Sequence, residues 1–133
     1  MTTSGTARTL LGFAAFLQAA GGAIHAAAFG HAVKAIAGTA LPALFAGAFK
    51  ALWLADSTTM FSLAIIFTWI AIRPIAASRA FVMLLALIPA GVGVLIYVFL
   101  GGFFAGHLLA ATAVLVVIAG RLLPGAPGAS LPG

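Results

Sequence analysis

Residues 43–72 read ALFAGAFKALWLADSTTMFSLAIIFTWIAI and contain two charged side chains, Lys50 and Asp56. The hydrocarbon core of a bilayer is about 30 Å thick, so a helix needs about 20 mostly apolar residues to cross it. This stretch is longer than one crossing requires. It predicts a transmembrane helix, and it places the only carboxylate side chain of the protein inside that helix.

The composition of the 133 residues supports the same class of protein. Hydrophobic residues make up 65% of the chain and charged residues 5%, whereas soluble domains draw about a quarter of their residues from Asp, Glu, Lys and Arg. Soluble domains and disordered tails are therefore excluded. The absence of cysteine excludes disulfide scaffolds and thiolate metal sites. The basic residues are dispersed and form no patch, so nucleic acid is not an expected partner.

Three more stretches are long and apolar enough to span a membrane. The four predicted spans cover residues 10–29, 43–72, 79–100 and 103–120. The longest predicted connection runs from residue 30 to 41, and short connections make consecutive helices antiparallel neighbours. We therefore expect an all-α integral membrane protein, a four-helix up-down bundle that forms one domain over residues 1–133. The Pro- and Gly-rich residues 122–133 are expected to form a tail without a helix.

Three prolines mark boundaries in this pattern. Pro42 and Pro74 bracket the second span, since proline starts helices or follows their ends. Pro89 lies inside the third span. It predicts a kink there, because proline removes a backbone hydrogen bond.

The arginines orient the spans. With four spans, the N-terminus, the second connection and the C-terminus share one side of the membrane. The arginines on that side are Arg8, Arg73, Arg79 and Arg121. The opposite side holds Lys34, with Lys50 near it. Cytoplasmic loops retain Lys and Arg, so we expect both termini to be cytoplasmic and the protein to lie in a bacterial inner (plasma) membrane.

Polar side chains inside spans are costly, so their depth is informative. At 1.5 Å per helical residue, four of them lie roughly 21 to 27 Å from the nearest arginine. These residues are His25, Asp56, Tyr97 and His107. Each span contributes one of them, which predicts a polar layer in the outer half of the bundle.

Small residues beside this layer predict close helix packing. Gln18 and His25 are seven residues apart and share one face of the first helix, with Gly21 and Gly22 between them. A similar glycine precedes His107. We therefore expect neighbouring helices to approach closely at the depth of the polar layer.

Asp56 needs the most explanation, because an aspartate costs about 2.5 to 3.5 kcal/mol at the centre of a span. In one interpretation it accepts hydrogen bonds from Ser57, Thr59 or Lys50 on its own helix, or caps a break there. In the other it pairs with His25 or His107, where it orients an imidazole or binds a cation. Lys50 lies about 120° around the helix from Asp56, which argues against a direct pair. We therefore expect Asp56 to face another helix.

The polar layer supports two kinds of functional site. Neutral imidazoles are the commonest metal ligands, so His25, His107 and Asp56 are candidate ligands of a metal ion, or the two histidines of a haem. Alternatively, Asp56 and His25 are catalytic as acid and base on a lipophilic molecule or lipid from the outer leaflet, or bind it without chemistry. The candidate ligand-binding residues are Lys50, Trp53 and Tyr97.

The sequence is equally compatible with purely structural roles for these residues. His25 serves equally well as a hydrogen bond between helices, His31 as a solvated loop residue and Tyr97 as an interfacial aromatic. Lysines in such positions snorkel outward.

Two further hypotheses concern the whole protein. One is a small proton-coupled transporter that uses Asp56, and the other is an accessory subunit of a larger membrane complex. The lipid bilayer is the partner that the composition requires, and a homo-oligomer is compatible with both hypotheses. The chain contains no HExxH, GxSxG or phosphate-binding motif, so the sequence does not decide whether it is an enzyme.

Overall fold

A computed structural model describes residues 3–123, and helices are the only regular secondary structure in this part of the chain. The helices are α1 (Thr3–Ala27), α2 (Phe29–Ala37), α3 (Ala43–Ile72), α4 (Arg79–Leu85), α5 (Leu87–Leu100) and α6 (Phe104–Leu122), with a 3₁₀ turn at Pro74–Ala76. Four stretches are long and apolar enough to cross a bilayer: α1 with α2, α3 alone, α4 with α5, and α6 alone. The predicted all-α, four-helix membrane architecture is confirmed. From residue 124 onward, the predicted tail lies outside the described residues.

The second span, α3, has the bounds that the sequence predicts. Pro42 precedes its first residue with φ −55° and ψ 145°, an extended conformation that proline favours. At the other end the chain leaves the helix at Arg73. Pro74 follows, and without an N–H it cannot extend the helical hydrogen bonds.

The third span is interrupted at Ala86, three residues before Pro89. α4 ends at Leu85 and α5 begins at Leu87. Because proline has no N–H, the carbonyl of Leu85 receives no regular helical hydrogen bond from Pro89. The predicted kink is therefore observed as a break between α4 and α5.

The connection predicted at residues 30–41 is wrong, because α2 fills most of it. The amides of His31 and Ala32 donate to the carbonyl of Ala28, each at 3.1 Å, so helical bonding resumes directly after α1. The chain leaves α2 only at Gly38. The helical segment therefore continues well past the residue at which the first predicted span ends.

The four spans of the bundle pack in a row. α1 lies between α3 and α6, and α6 lies between α1 and the third span, α4 with α5. Within residues 3–123, α3 and the third span make no comparable contact. The first and second spans are neighbours, and so are the third and fourth, as predicted. The second and third spans are not neighbours, because α1 and α6 lie between them.

The apolar core lies at the arginine end of this row. Its buried side chains include Ala7, Leu11, Leu63, Phe67, Val82, Val116 and Leu123. Two arginines connect the ends of helices there by hydrogen bonds. Arg8 Nε donates to the carbonyl of Ala71 at 2.8 Å, and Arg79 Nε donates to the carbonyl of Leu123 at 2.6 Å. Basic groups are favourable at helix C-termini, where carbonyls lack regular partners. The helix ends that carry the four predicted arginines are thus gathered at one end of the molecule.

Two of the spans are longer than the other two. α1 with α2 has 34 residues and α3 has 30, whereas the third and fourth spans have 22 and 19. At 1.5 Å per residue, the first two measure about 50 and 45 Å and the others about 33 and 28 Å. α2 and the first turns of α3 therefore extend past α5 and α6 as a pair of helices. We call this projection, residues 29–52, the outer hairpin, where "outer" means distant from the arginine end.

Candidate functional site: a histidine cluster beside an apolar cavity

His25 lies near the end of α1, where its ring meets two consecutive residues of α3. Its Nδ1 is 2.9 Å from Ser57 Oγ, and its Nε2 is 3.6 Å from Asp56 Oδ2. The side chains of His25 and Asp56 are 26% and 31% exposed. Because 3.6 Å exceeds a hydrogen-bond distance, the contact between His25 and Asp56 is electrostatic. The prediction that Asp56 faces another helix is confirmed.

Trp53 fixes the orientation of the His25 ring. The two rings stack with their centroids 4.2 Å apart and their planes 13° from parallel. The indole Nε1 donates to the backbone carbonyl of His25 at 2.8 Å. Trp53 therefore holds the face of the ring, while Ser57 and Asp56 lie at its two nitrogens. Rotation of the ring breaks all three contacts.

Both ring nitrogens of His25 face polar side chains of α3. Ser57 Oγ lies 3.2 Å from the carbonyl of Trp53 and 2.9 Å from His25 Nδ1. If the hydroxyl donates to Nδ1, then Nε2 carries the imidazole proton and points it at Asp56. If the hydroxyl donates to the Trp53 carbonyl, then Nδ1 donates to Ser57. In each tautomer the ring has one N–H donor, and its two nitrogens lie beside Ser57 and Asp56.

The local partners considered for Asp56 have other roles. Ser57 is bonded to His25, and in the described part of the chain Lys50 forms no ion pair with Asp56. Thr59 donates to the carbonyl of Ala55 on its own helix at 2.9 Å. Asp56 therefore interacts with His25 of α1 and not with these neighbours on its own helix.

Tyr97 and His107 form a second polar pair, which joins α5 to α6. The Tyr97 hydroxyl is hydrogen-bonded to His107 Nδ1, and the ring centroids are 5.4 Å apart. A Cβ at Gly106 would lie 3.2 Å from the Tyr97 ring. The glycine beside His107 thus permits the close approach that the sequence predicts.

The predicted polar layer is therefore two pairs on different helices. His25 with Asp56 joins α1 to α3, whereas Tyr97 with His107 joins α5 to α6. Across residues 3–123, no three His, Cys, Asp or Glu side chains are grouped so that they could hold a metal ion. This arrangement does not support His25, His107 and Asp56 as one set of metal ligands. Asp56 lies on α3 and His107 on α6, and within residues 3–123 these two helices make no comparable contact because α1 lies between them.

A cavity of about 210 Å³ lies between α1, α3 and the start of α6. Its wall is almost entirely apolar, with Met60 and Leu108 among the residues that line it, and His25 and Trp53 also line the cavity. Gly21 contributes backbone where a side chain would fill the space. The sequence marks this glycine as a packing position but carries no signal for the gap itself.

Gln18 shares the predicted helix face with His25 but does not join the cluster. It is completely buried, and no residue in the described ranges bonds either of its amide atoms. Long side chains on a helix point toward its N-terminus. Gln18 is therefore expected to reach toward the apolar core and away from the cavity.

No protein-family model matches the chain, and no curated protein or solved structure matches it either. The class of protein is therefore defined by its fold and its candidate site alone. This is an all-helical protein with four helices able to span a membrane. It carries a His–Asp–Ser cluster beside an apolar cavity.

Replacement of Ser57 by alanine is expected to destabilise the protein by about 1 to 3 kcal/mol, because the partly buried Nδ1 of His25 loses its hydrogen-bond partner. Thr58→Ala is the matched control. The Thr58 hydroxyl is exposed and donates to the carbonyl of Leu54 on its own helix, so its loss should change stability by less than about 0.5 kcal/mol. Unfolding in detergent micelles, followed by circular dichroism, measures both. Equal effects of the two substitutions would contradict the role assigned to Ser57.

Proposed function

We propose that this protein binds a lipophilic molecule from the outer leaflet of the membrane, with an apolar part in the cavity and a polar group on His25. The position of His25 carries the proposal. His25 lines an apolar cavity, and both of its ring nitrogens lie beside side chains of α3. Ligand sites commonly consist of an apolar pocket with a few fixed polar groups.

The cavity volume supports a ligand that is only partly enclosed. Drug-sized ligands occupy pockets of about 300–1,000 Å³, and an apolar cavity of about 150 Å³ binds a benzene molecule. At about 210 Å³, this cavity accommodates one ring or a short length of alkyl chain. The remainder of the ligand lies outside, next to lipid or to the outer hairpin.

Exposed apolar side chains in the cavity wall support access from the membrane. Ile24, Phe103 and Phe104 line the cavity and are 67%, 55% and 69% exposed. In a bilayer such side chains contact acyl chains. A lipophilic molecule can therefore move from lipid into the cavity without crossing water.

The cluster has the groups needed to recognise a hydroxyl or carbonyl. The N–H proton of the His25 imidazole can be donated to a ligand acceptor, and the Asp56 carboxylate accepts from a ligand donor. The same proton supports acid–base chemistry, with His25 and Asp56 as the exchanging groups and Trp53 as the residue that orients the ring. Lys50 and Trp53 remain ligand-binding candidates, whereas Tyr97 belongs to the other polar pair.

The geometry favours this proposal over a metal or haem centre. No three His, Cys, Asp or Glu side chains of residues 3–123 are grouped so that they could hold a metal ion. A bis-histidine haem needs both imidazoles to approach one iron. Here the two histidines belong to different helix pairs.

We also propose that the arginine end faces the cytoplasm of a bacterial cell and that the outer hairpin faces the opposite side of the inner membrane. The chain has no cysteine, so single-cysteine variants at Ser4 and Thr39 report the two ends. A membrane-impermeant maleimide should label Thr39→Cys in cells with a permeable outer membrane, and label Ser4→Cys only after the inner membrane is permeabilised. The reverse pattern would contradict this orientation.

Filling the cavity tests ligand binding. A Cβ at Gly21 would lie 3.6 Å from Leu108 and 3.7 Å from Met60, both ordinary contacts, so Gly21→Leu places its methyl groups in the cavity. A Cβ at Gly12, also on α1, would meet nothing within 4 Å. Gly12→Leu is therefore the matched control. Quenching of Trp53 fluorescence by ω-bromodecanol, in a Trp69→Phe background, measures occupancy.

We expect saturable quenching in the parent protein and in Gly12→Leu. The affinity of Gly21→Leu should be lower by about tenfold or more, because each methylene excluded from the cavity costs about 0.8 kcal/mol. The same affinity in all three proteins, or no saturable quenching in the parent, would overturn the proposal.

A further inference from the structure

We infer that the polar group on His25 belongs to an anionic head group, a carboxylate or a phosphate, which Lys50 and His31 also contact just outside the cavity. The inference rests on the proposed function, because it names the class of molecule whose apolar part fills the cavity. It depends on where two basic side chains lie relative to residues of the cavity wall.

Each of these basic residues lies one helical turn outward from a residue of the wall. Trp53 and Ala28 line the cavity. Lys50 precedes Trp53 by three residues on α3, and His31 follows Ala28 by three residues. Residues three apart share a helix face, and both steps lead away from the arginine end. Lys50 and His31 are therefore placed above the cavity, on two helices that pack against each other.

Both side chains are available to a head group. Lys50 and His31 are exposed, and neither forms an ion pair with an acidic side chain among residues 3–123. The one carboxylate side chain of the protein, Asp56, is directed at His25. The outer hairpin therefore carries basic residues without any acidic residue of its own. Next to an apolar cavity, an ion pair is stronger than in bulk water, because the local dielectric constant is lower.

Lys34 carries the same charge as Lys50 and also lies on the outer hairpin, but it occupies a different position around its helix. It is six residues from Ala28, which places it about 120° around the helix from the residue that lines the cavity. A head group held by Lys50 and His31 does not need Lys34. General attraction between the hairpin and anionic lipid, by contrast, needs both lysines equally.

Trp53 quenching by three brominated decyl compounds tests the inference in the full-length protein with the Trp69→Phe background. The compounds are ω-bromodecanoate, ω-bromodecyl phosphate and the neutral ω-bromodecanol. We expect the parent protein to bind at least one anion about fivefold or more tightly than the alcohol. The tighter of the two anions identifies the head group as carboxylate or phosphate.

Two matched substitutions assign the charge. Lys50→Gln should weaken binding of the preferred anion about fivefold and leave binding of the alcohol unchanged. Lys34→Gln should change neither, and Lys50→Arg should retain the preference for the anion because it keeps the charge. Equal losses in Lys34→Gln and Lys50→Gln would overturn the inference in favour of general attraction to the hairpin.

The outcomes separate this inference from the proposed function. If the alcohol and both anions bind with equal affinity, the anionic head group is wrong but the lipophilic site stands. If none of the three compounds quenches Trp53 saturably, both are wrong.

Discussion

The carboxylate of Asp56, placed inside an apolar helix, is the constraint on which the outer half of the molecule depends. Such a group costs about 2.5 to 3.5 kcal/mol at the centre of a membrane span. The structure compensates this cost with His25, whose ring is in turn held by Ser57 and Trp53. These contacts join the end of α1 to the middle of α3. Polar contacts thus fix this helix pair at its outer level, whereas the apolar core is gathered at the arginine end.

The difference in helix length places the cavity beside this cluster. α1 and α3 approach closely, since a Cβ at Gly22 would lie 3.1 Å from the Cβ of Met60. α6 begins only at Phe104, at the level of the cluster, and supplies the third wall of the cavity. Beyond that level α1 and α3 continue without α6 into the outer hairpin. Along this helix pair, the apolar cavity and the oriented imidazole of His25 are therefore followed by the basic side chains of Lys50 and His31.

Helix positions were predictable where composition and proline decide them. The bounds of α3 and the break before Pro89 follow from the apolar stretch and the missing proline N–H. Residues 30–41 were mispredicted as a connection, because the length that a helix needs to cross a bilayer does not determine where an apolar helix ends. The pairing of Asp56 with a histidine was among the predicted alternatives. Which histidine Asp56 contacts depends on the packing order of the spans. The cavity depends on gaps between side chains. Hydropathy encodes neither the packing order nor these gaps.

The central claim is that His25 recognises the polar group of a molecule whose apolar part fills the cavity. Heteronuclear NMR of the histidine ring nitrogens tests it most directly, with the three histidines assigned through single His→Gln variants. The account predicts that saturating decanol shifts the ring nitrogen signals of His25 and leaves those of His107 unchanged. Unchanged His25 signals at saturation, or a shift confined to His107, would contradict it.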